Sequence, residues 1–147
     1  MTSKSKARAA ARLAAVQALY QHEMEGTLQA LLLDEFHRHR LGMEIDEDQF
    51  AEAEVAFFDD VVKGVIARRD EIDALLSSKL AQGWAITRLD RTMLQILRAG
   101  AYELMARPDV ATGTVINEYL DVSHAFFEAR ETKFVNGVLD AVAKQVR

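Results

Sequence analysis

A single proline and seven glycines punctuate 147 residues in which apolar side chains recur every three or four positions. That spacing is the period of helices with one buried face, whereas a β-rich chain needs turn residues every few positions. The pattern predicts an all-α fold of about seven helices. Half the residues are hydrophobic, enough for a sizeable core in one compact domain or in two lobes that share one. The absence of cysteine removes disulfides and thiolate metal sites and fits a reducing compartment. Arg8 and Arg12 break up the apolar start, against a secretory signal, and no apolar run approaches membrane-spanning length. A cytoplasmic helical protein without membrane contact is expected.

Breakers and caps divide the chain. A first helix runs from about Lys4 to Met24, with Ala9, Leu13, Val16, Tyr20 and Met24 as its packing stripe, and ends at Gly26. A second covers Leu28 to His37, and Arg38 to Glu47 reads as a variable loop. Asp48 and Asp70 open a third and a fourth helix. Gly83 makes a weak joint, so one domain over 1–147 is expected, with helical lobes of about 1–82 and 83–147. Thr87 or Asp90 starts a strongly apolar fifth helix that Pro108 stops. Thr114 is the expected cap of a sixth, ending near Phe127, and the last begins near Thr132.

Charge is unevenly placed. The net charge is -5, yet the first acidic residue is Glu23, and Lys4, Lys6, Arg8 and Arg12 precede it. An amino end free of carboxylates suits an anionic partner, while the acidic remainder discourages indiscriminate adhesion to nucleic acid. Lys4, Arg8 and Arg12 follow at i, i+4 spacing and line one side of a helix, away from the expected packing stripe. Guanidinium forks suit phosphate oxygens well. The plainer reading is a solvated helix face. Neutralising about three or four phosphates gives a single-strand salt slope of only about -2 to -3, so such a patch needs base contacts or a second protein.

A second cationic stretch is Arg130-Glu131-Thr132-Lys133-Phe134-Val135-Asn136-Gly137-Val138-Leu139. Lys133 beside Phe134 is the pairing that holds unstacked bases, each stack contributing about 1–3 kcal/mol. The competing reading makes Phe134 an anchor of the last helix in the core. Gly137 costs about 1 kcal/mol relative to alanine in a helix, and close approach of a neighbouring helix is the expected compensation.

Catalytic readings are thinner. Asp34-x-x-His37 and Asp121-x-x-His124 each place two ligand types on one helical face, and dimetal carboxylate bundles use such pairs. Those bundles favour glutamate with histidine plus further glutamates, so surface histidines explain the residues more simply. Glu103 and Glu118 read as groups that orient neighbouring helices rather than as an acid–base pair. No glycine-rich phosphate loop is present and no cofactor is implied. A protein-only helical adaptor, its basic end meeting an acidic partner, is the other alternative.

Three blocks carry a resemblance: Ala11-Arg12-Leu13-Ala14-Ala15-Val16-Gln17-Ala18-Leu19-Tyr20-Gln21, then Leu97-Arg98-Ala99-Gly100-Ala101-Tyr102-Glu103-Leu104, then Ile116-Asn117-Glu118 followed by Lys133 to Leu139. In order and span they resemble the NusB family of bacterial transcription antitermination factors. The resemblance implies a non-enzymatic, all-helical RNA-binding factor. Its members pair with the ribosomal protein NusE and bind the single-stranded boxA element of nascent RNA. They act with other Nus factors on RNA polymerase to support ribosomal RNA synthesis. By position, Lys4, Lys6, Arg8 and Arg12 would face RNA, Lys133 and Phe134 match a second RNA-facing region, and Tyr20 lies near the NusE surface. Arg130 stands where some relatives carry an acid, and its charge favours phosphate. Ala9 and Ala10 replace arginines found in some members. Met93 replaces an acid before the central block. Ala111 replaces a loop proline, which should loosen the turn.

Overall fold

The computed structural model describes the backbone of residues 3–39 and 48–147 and the side chains of residues 5–38 and 55–147. Among these residues there are seven α-helices and no strand. They are α1 (Ser3–Glu25), α2 (Gln29–His39), α3 (Asp48–Ala67), α4 (Arg69–Lys79), α5 (Arg91–Ala106), α6 (Thr112–His124) and α7 (Ala129–Val146), with a short 3-10 turn at Ile86–Arg88. None is long and apolar enough to cross a membrane. Residues 40–47, most of the expected variable loop, and the side chain of Asp48 lie outside the described residues.

The chain divides into two compact units, Met1–Lys63 and Gly64–Arg147, rather than at 82/83. The reason is α4, which packs on α5 and α7 and so groups with the carboxy-terminal helices.

In the first unit, α1 ends at Gly26, whose φ of 69° is open to glycine and whose N–H bonds the carbonyl of His22. Its buried face is Ala7, Ala11, Ala14, Ala15, Ala18 and Leu19 with Val16. This corrects the expected stripe: Ala9 and Leu13 are half-buried, while Tyr20 and Met24 are exposed. Alanines at 7, 11, 14 and 18 follow the helical repeat as faithfully as the larger residues do, and their small size lets neighbouring atoms approach the backbone. Phe36 of α2 stacks on Phe58 of α3 with ring centroids 5.5 Å apart.

The second unit is built around α5, whose residues Met93 to Leu104 are all buried. Asp90 caps it, accepting from the backbone N–H of Thr92 at 2.8 Å and of Met93 at 3.1 Å. Two buried polar groups tie α5 to its neighbours. Arg98 donates two 2.8 Å bonds to the carboxylate of Asp73 on α4. The phenol of Tyr119 on α6 donates to Glu103. Glycines give room for close packing. A Cβ on Gly64 would collide with the ring of Tyr102, and one on Gly100 would lie 3.0 Å from both terminal methyls of Leu139.

Several boundaries moved. Helix α6 starts at Thr112 with Ala111 as its N-cap, so Thr114 lies inside the first turn and caps nothing. Helix α7 starts at Ala129, earlier than Thr132, because Glu128 and Glu131 form a capping box. Gly137 faces open space, with nothing within 4 Å of the position a Cβ would take, so no neighbouring helix approaches it. Arg147 closes the other end of the unit, donating to the carbonyls of Glu103, Leu104, Arg107 and Val110. It thereby satisfies the carboxyl end of α5.

Candidate nucleic-acid interface

The capping box sets the orientation of the first turn of α7, and with it the cation–aromatic stretch. The Glu131 carboxylate accepts from the Glu128 backbone N–H at 3.1 Å and from the Arg130 guanidinium at 3.3 Å. Those two bonds, that from Arg130 first, hold its pKa below the ordinary carboxylate value. Thr132 turns inward to bond Ser123, and Val135 enters the core. Lys133 and Asn136 therefore point outward, and the side chain of Arg130 is 94% exposed.

Phe134 is half-buried, so neither simple reading describes it: it anchors its helix and still offers ring surface. Its neighbour is Trp84, ring centroids 6.2 Å apart and planes at 37°. These rings and Arg88 border a groove of about 520 Å³ that Arg130 also lines. A second groove of about 470 Å³, between α6 and α7, runs past His124, Arg130, Lys133 and Asn136. Arg130 thus stands between two grooves. Trp84 and Arg88 were missed in the sequence, where fifty positions separate Trp84 from Phe134 and no local pattern links them.

The amino-terminal cations divide. Lys6 is exposed, and the side chain of Lys4 lies outside the described residues. Arg8 and Arg12 do share one side of α1, yet that side is not the solvated one. Arg12 is only 2% exposed, Arg8 is half-buried, and their guanidinium carbons lie 4.8 and 4.7 Å from the centroid of the Phe57 ring. The expectation that Arg8 and Arg12 face solvent is corrected accordingly, while that for Lys4 lies outside the described side chains. Planar guanidiniums are weakly hydrated and stack on aromatic faces, which lets them leave water at lower cost than ammonium groups. Tyr20 is 39% exposed on the same helix, accessible to a partner.

The histidine pairs are otherwise engaged or dispersed. His37 bonds Asp59 at 2.5 Å while Asp34 bonds Arg38. Among the described residues no three His, Cys, Asp or Glu side chains gather as a metal site requires. Glu103 is an internal acceptor, fully buried against Tyr119.

An all-helical architecture with aromatic rings beside guanidiniums and an ammonium group defines the class, a helical protein with a cationic and aromatic face on its last helix. Within that class the chain belongs to the NusB family, whose pattern it matches over residues 9–144. It is 78% identical over 142 residues to the transcription antitermination protein NusB of Novosphingobium aromaticivorans, covering 97% of this chain and 96% of that one. It is 60% identical over 147 residues to the same protein of Sphingopyxis alaskensis, covering 100% and 99%. The fold is similar to a chain in the crystal structure of the antitermination factors NusB and NusE in complex with double-stranded RNA. There the TM-score is 0.79 at 26% identity, over 95% of this chain and 98% of that one.

Proposed function

We propose that the chain is an RNA-binding antitermination factor that pairs with NusE, binds boxA of nascent RNA and supports ribosomal RNA transcription without catalysing a reaction. It acts in the cytoplasm beside other Nus factors and RNA polymerase. The observation that carries this reading is the carboxy-terminal surface, where Arg130 and Lys133 project beside the partly exposed ring of Phe134. The similar chain captured with NusE and RNA supports it.

In this reading Arg130 and Lys133 hold phosphates while Phe134 stacks on a base. Lys4, Lys6 and Arg8 supply a separate electrostatic contact on α1. Arg12, being buried, acts by fixing the Phe57 ring that Arg8 also stacks on. Tyr20 contributes to NusE binding. The two units, Met1–Lys63 and Gly64–Arg147, act as parts of one NusB-like domain. With so few phosphates engaged, NusE supplies the remaining affinity.

Titration of boxA RNA against a scrambled strand, with and without NusE, tests the proposal. Selective binding to boxA that tightens with NusE is expected. Equal binding of both strands in the presence of NusE defeats it.

A further inference from the structure

Trp84 and Arg88 belong to the segment between α4 and α5, which carried no motif in the sequence. Their position is nevertheless fixed. Gly83, with φ of 89°, turns the chain, and the Trp84 N–H bonds the Ala81 carbonyl at 3.0 Å. Arg91 then pins the 3-10 turn by donating to the carbonyls of Ile86 at 3.0 Å and Leu89 at 2.8 Å. So held, Trp84 leaves 57% of its surface in solvent beside Phe134. An indole kept out of the core on a fixed segment, in a groove that two arginines also line, offers a planar apolar face with cations nearby.

Two carboxylates also line this groove, but both serve helix starts. Asp90 accepts from the N–H groups of Thr92 and Met93, and Glu131 from that of Glu128. Their charge is partly offset by the helix dipoles. Arg88 is exposed, and Arg130 reaches almost fully into solvent.

We infer that Trp84 and Phe134 form a two-ring platform for unstacked bases of single-stranded RNA, with Arg88 and Arg130 engaging the flanking phosphates. The inference rests on the RNA-binding reading above and extends that site to a second ring and a second arginine. Geometry decides how a base sits. Stacked bases rise about 3.4 Å per step, so a base sandwiched between two rings needs about twice that separation. A centroid spacing of 6.2 Å with a 37° tilt is too tight for insertion. Bases therefore stack on the outward ring faces. Arginines with planar apolar faces are the recognition set of single strands, whereas a docking helix calls for a stripe of aliphatic side chains.

Trp84 is the only tryptophan in the chain, so its emission reports on the platform directly. The full-length protein is titrated with single-stranded boxA RNA, alone and with NusE, while RNA anisotropy is followed in parallel. Quenching of Trp84 emission at the RNA concentrations that raise anisotropy is expected. Trp84→Ala should weaken RNA binding by about five- to a hundredfold, and Trp84→Phe by less. Arg88→Gln should flatten the salt slope by about 0.7. Circular dichroism monitors folding, and Trp84→Phe together with wild-type emission decides the matter if Trp84→Ala does not fold. Tight RNA binding with unchanged emission and unaffected variants overturns the platform and leaves the RNA-binding reading intact. Absence of any RNA binding overturns both. Emission that responds to NusE alone and not to RNA makes the groove a protein contact and overturns the inference.

Discussion

The phenol of Tyr119 donates a 2.5 Å hydrogen bond to Oε1 of Glu103, and neither residue is exposed to solvent. Glu103 belongs to the central family block and Tyr119 follows Ile116-Asn117-Glu118, so two conspicuous stretches of sequence meet inside the core. Tyr119→Phe keeps the ring and leaves a buried carboxyl oxygen without its phenol donor. A loss of about 1–3 kcal/mol is expected, read by urea unfolding. Unchanged stability would show that water replaces the phenol.

Acid should loosen the start of α7. The pKa of Glu131 is lowered from its ordinary value of 4.5 by bonds from Arg130 and the Glu128 backbone. A carboxylate more acidic when folded than when unfolded stabilises the fold above its unfolded pKa. That stability is lost as pH falls through the lower, folded value. Fraying of α7 should therefore set in below about pH 4.5, and Glu131→Ala, which leaves the Glu128 N–H without its side-chain acceptor, should show the frayed start already at neutral pH. Amide exchange at residues 129–133 as a function of pH measures both.

Lys6 and Arg12 should behave oppositely. Lys6→Ala should leave melting unchanged and reduce the RNA salt slope by about 0.7. Arg12→Ala removes a buried side chain stacked on Phe57. It should lower stability, the lost cation–π contact alone accounting for about 0.5–2 kcal/mol. Parallel melting and RNA titration separate the two, and equal effects on melting would refute the distinction.

Ala111 already has the backbone a proline requires, with φ of -61° and ψ of 144°. Restoring proline there should stabilise the fold by about 0.4–1 kcal/mol through the unfolded chain's reduced freedom. A lower melting temperature for Ala111→Pro would mean that the ring strains Val110.

Much of the fold was legible because breakers act locally. Gly26 ends α1, Asp90 caps α5, and Pro108 lies just beyond its last turn, each through its own backbone chemistry. The failures share a different origin. The alanine face of α1 went unrecognised because small side chains look neutral until something packs on them. Charge alone suggests exposure for Arg12, whereas the Phe57 ring that shelters it is distant in sequence. Phe134, Lys133 and Arg130 are contiguous and were legible together. Trp84 was not, since only the packing of the second unit brings its segment to α7.

The ring of Tyr102 fills the space that any side chain at position 64 would need. A larger residue there is accommodated only if that ring swings aside or is itself replaced by something smaller, so the tolerance of position 64 is set by what stands at 102.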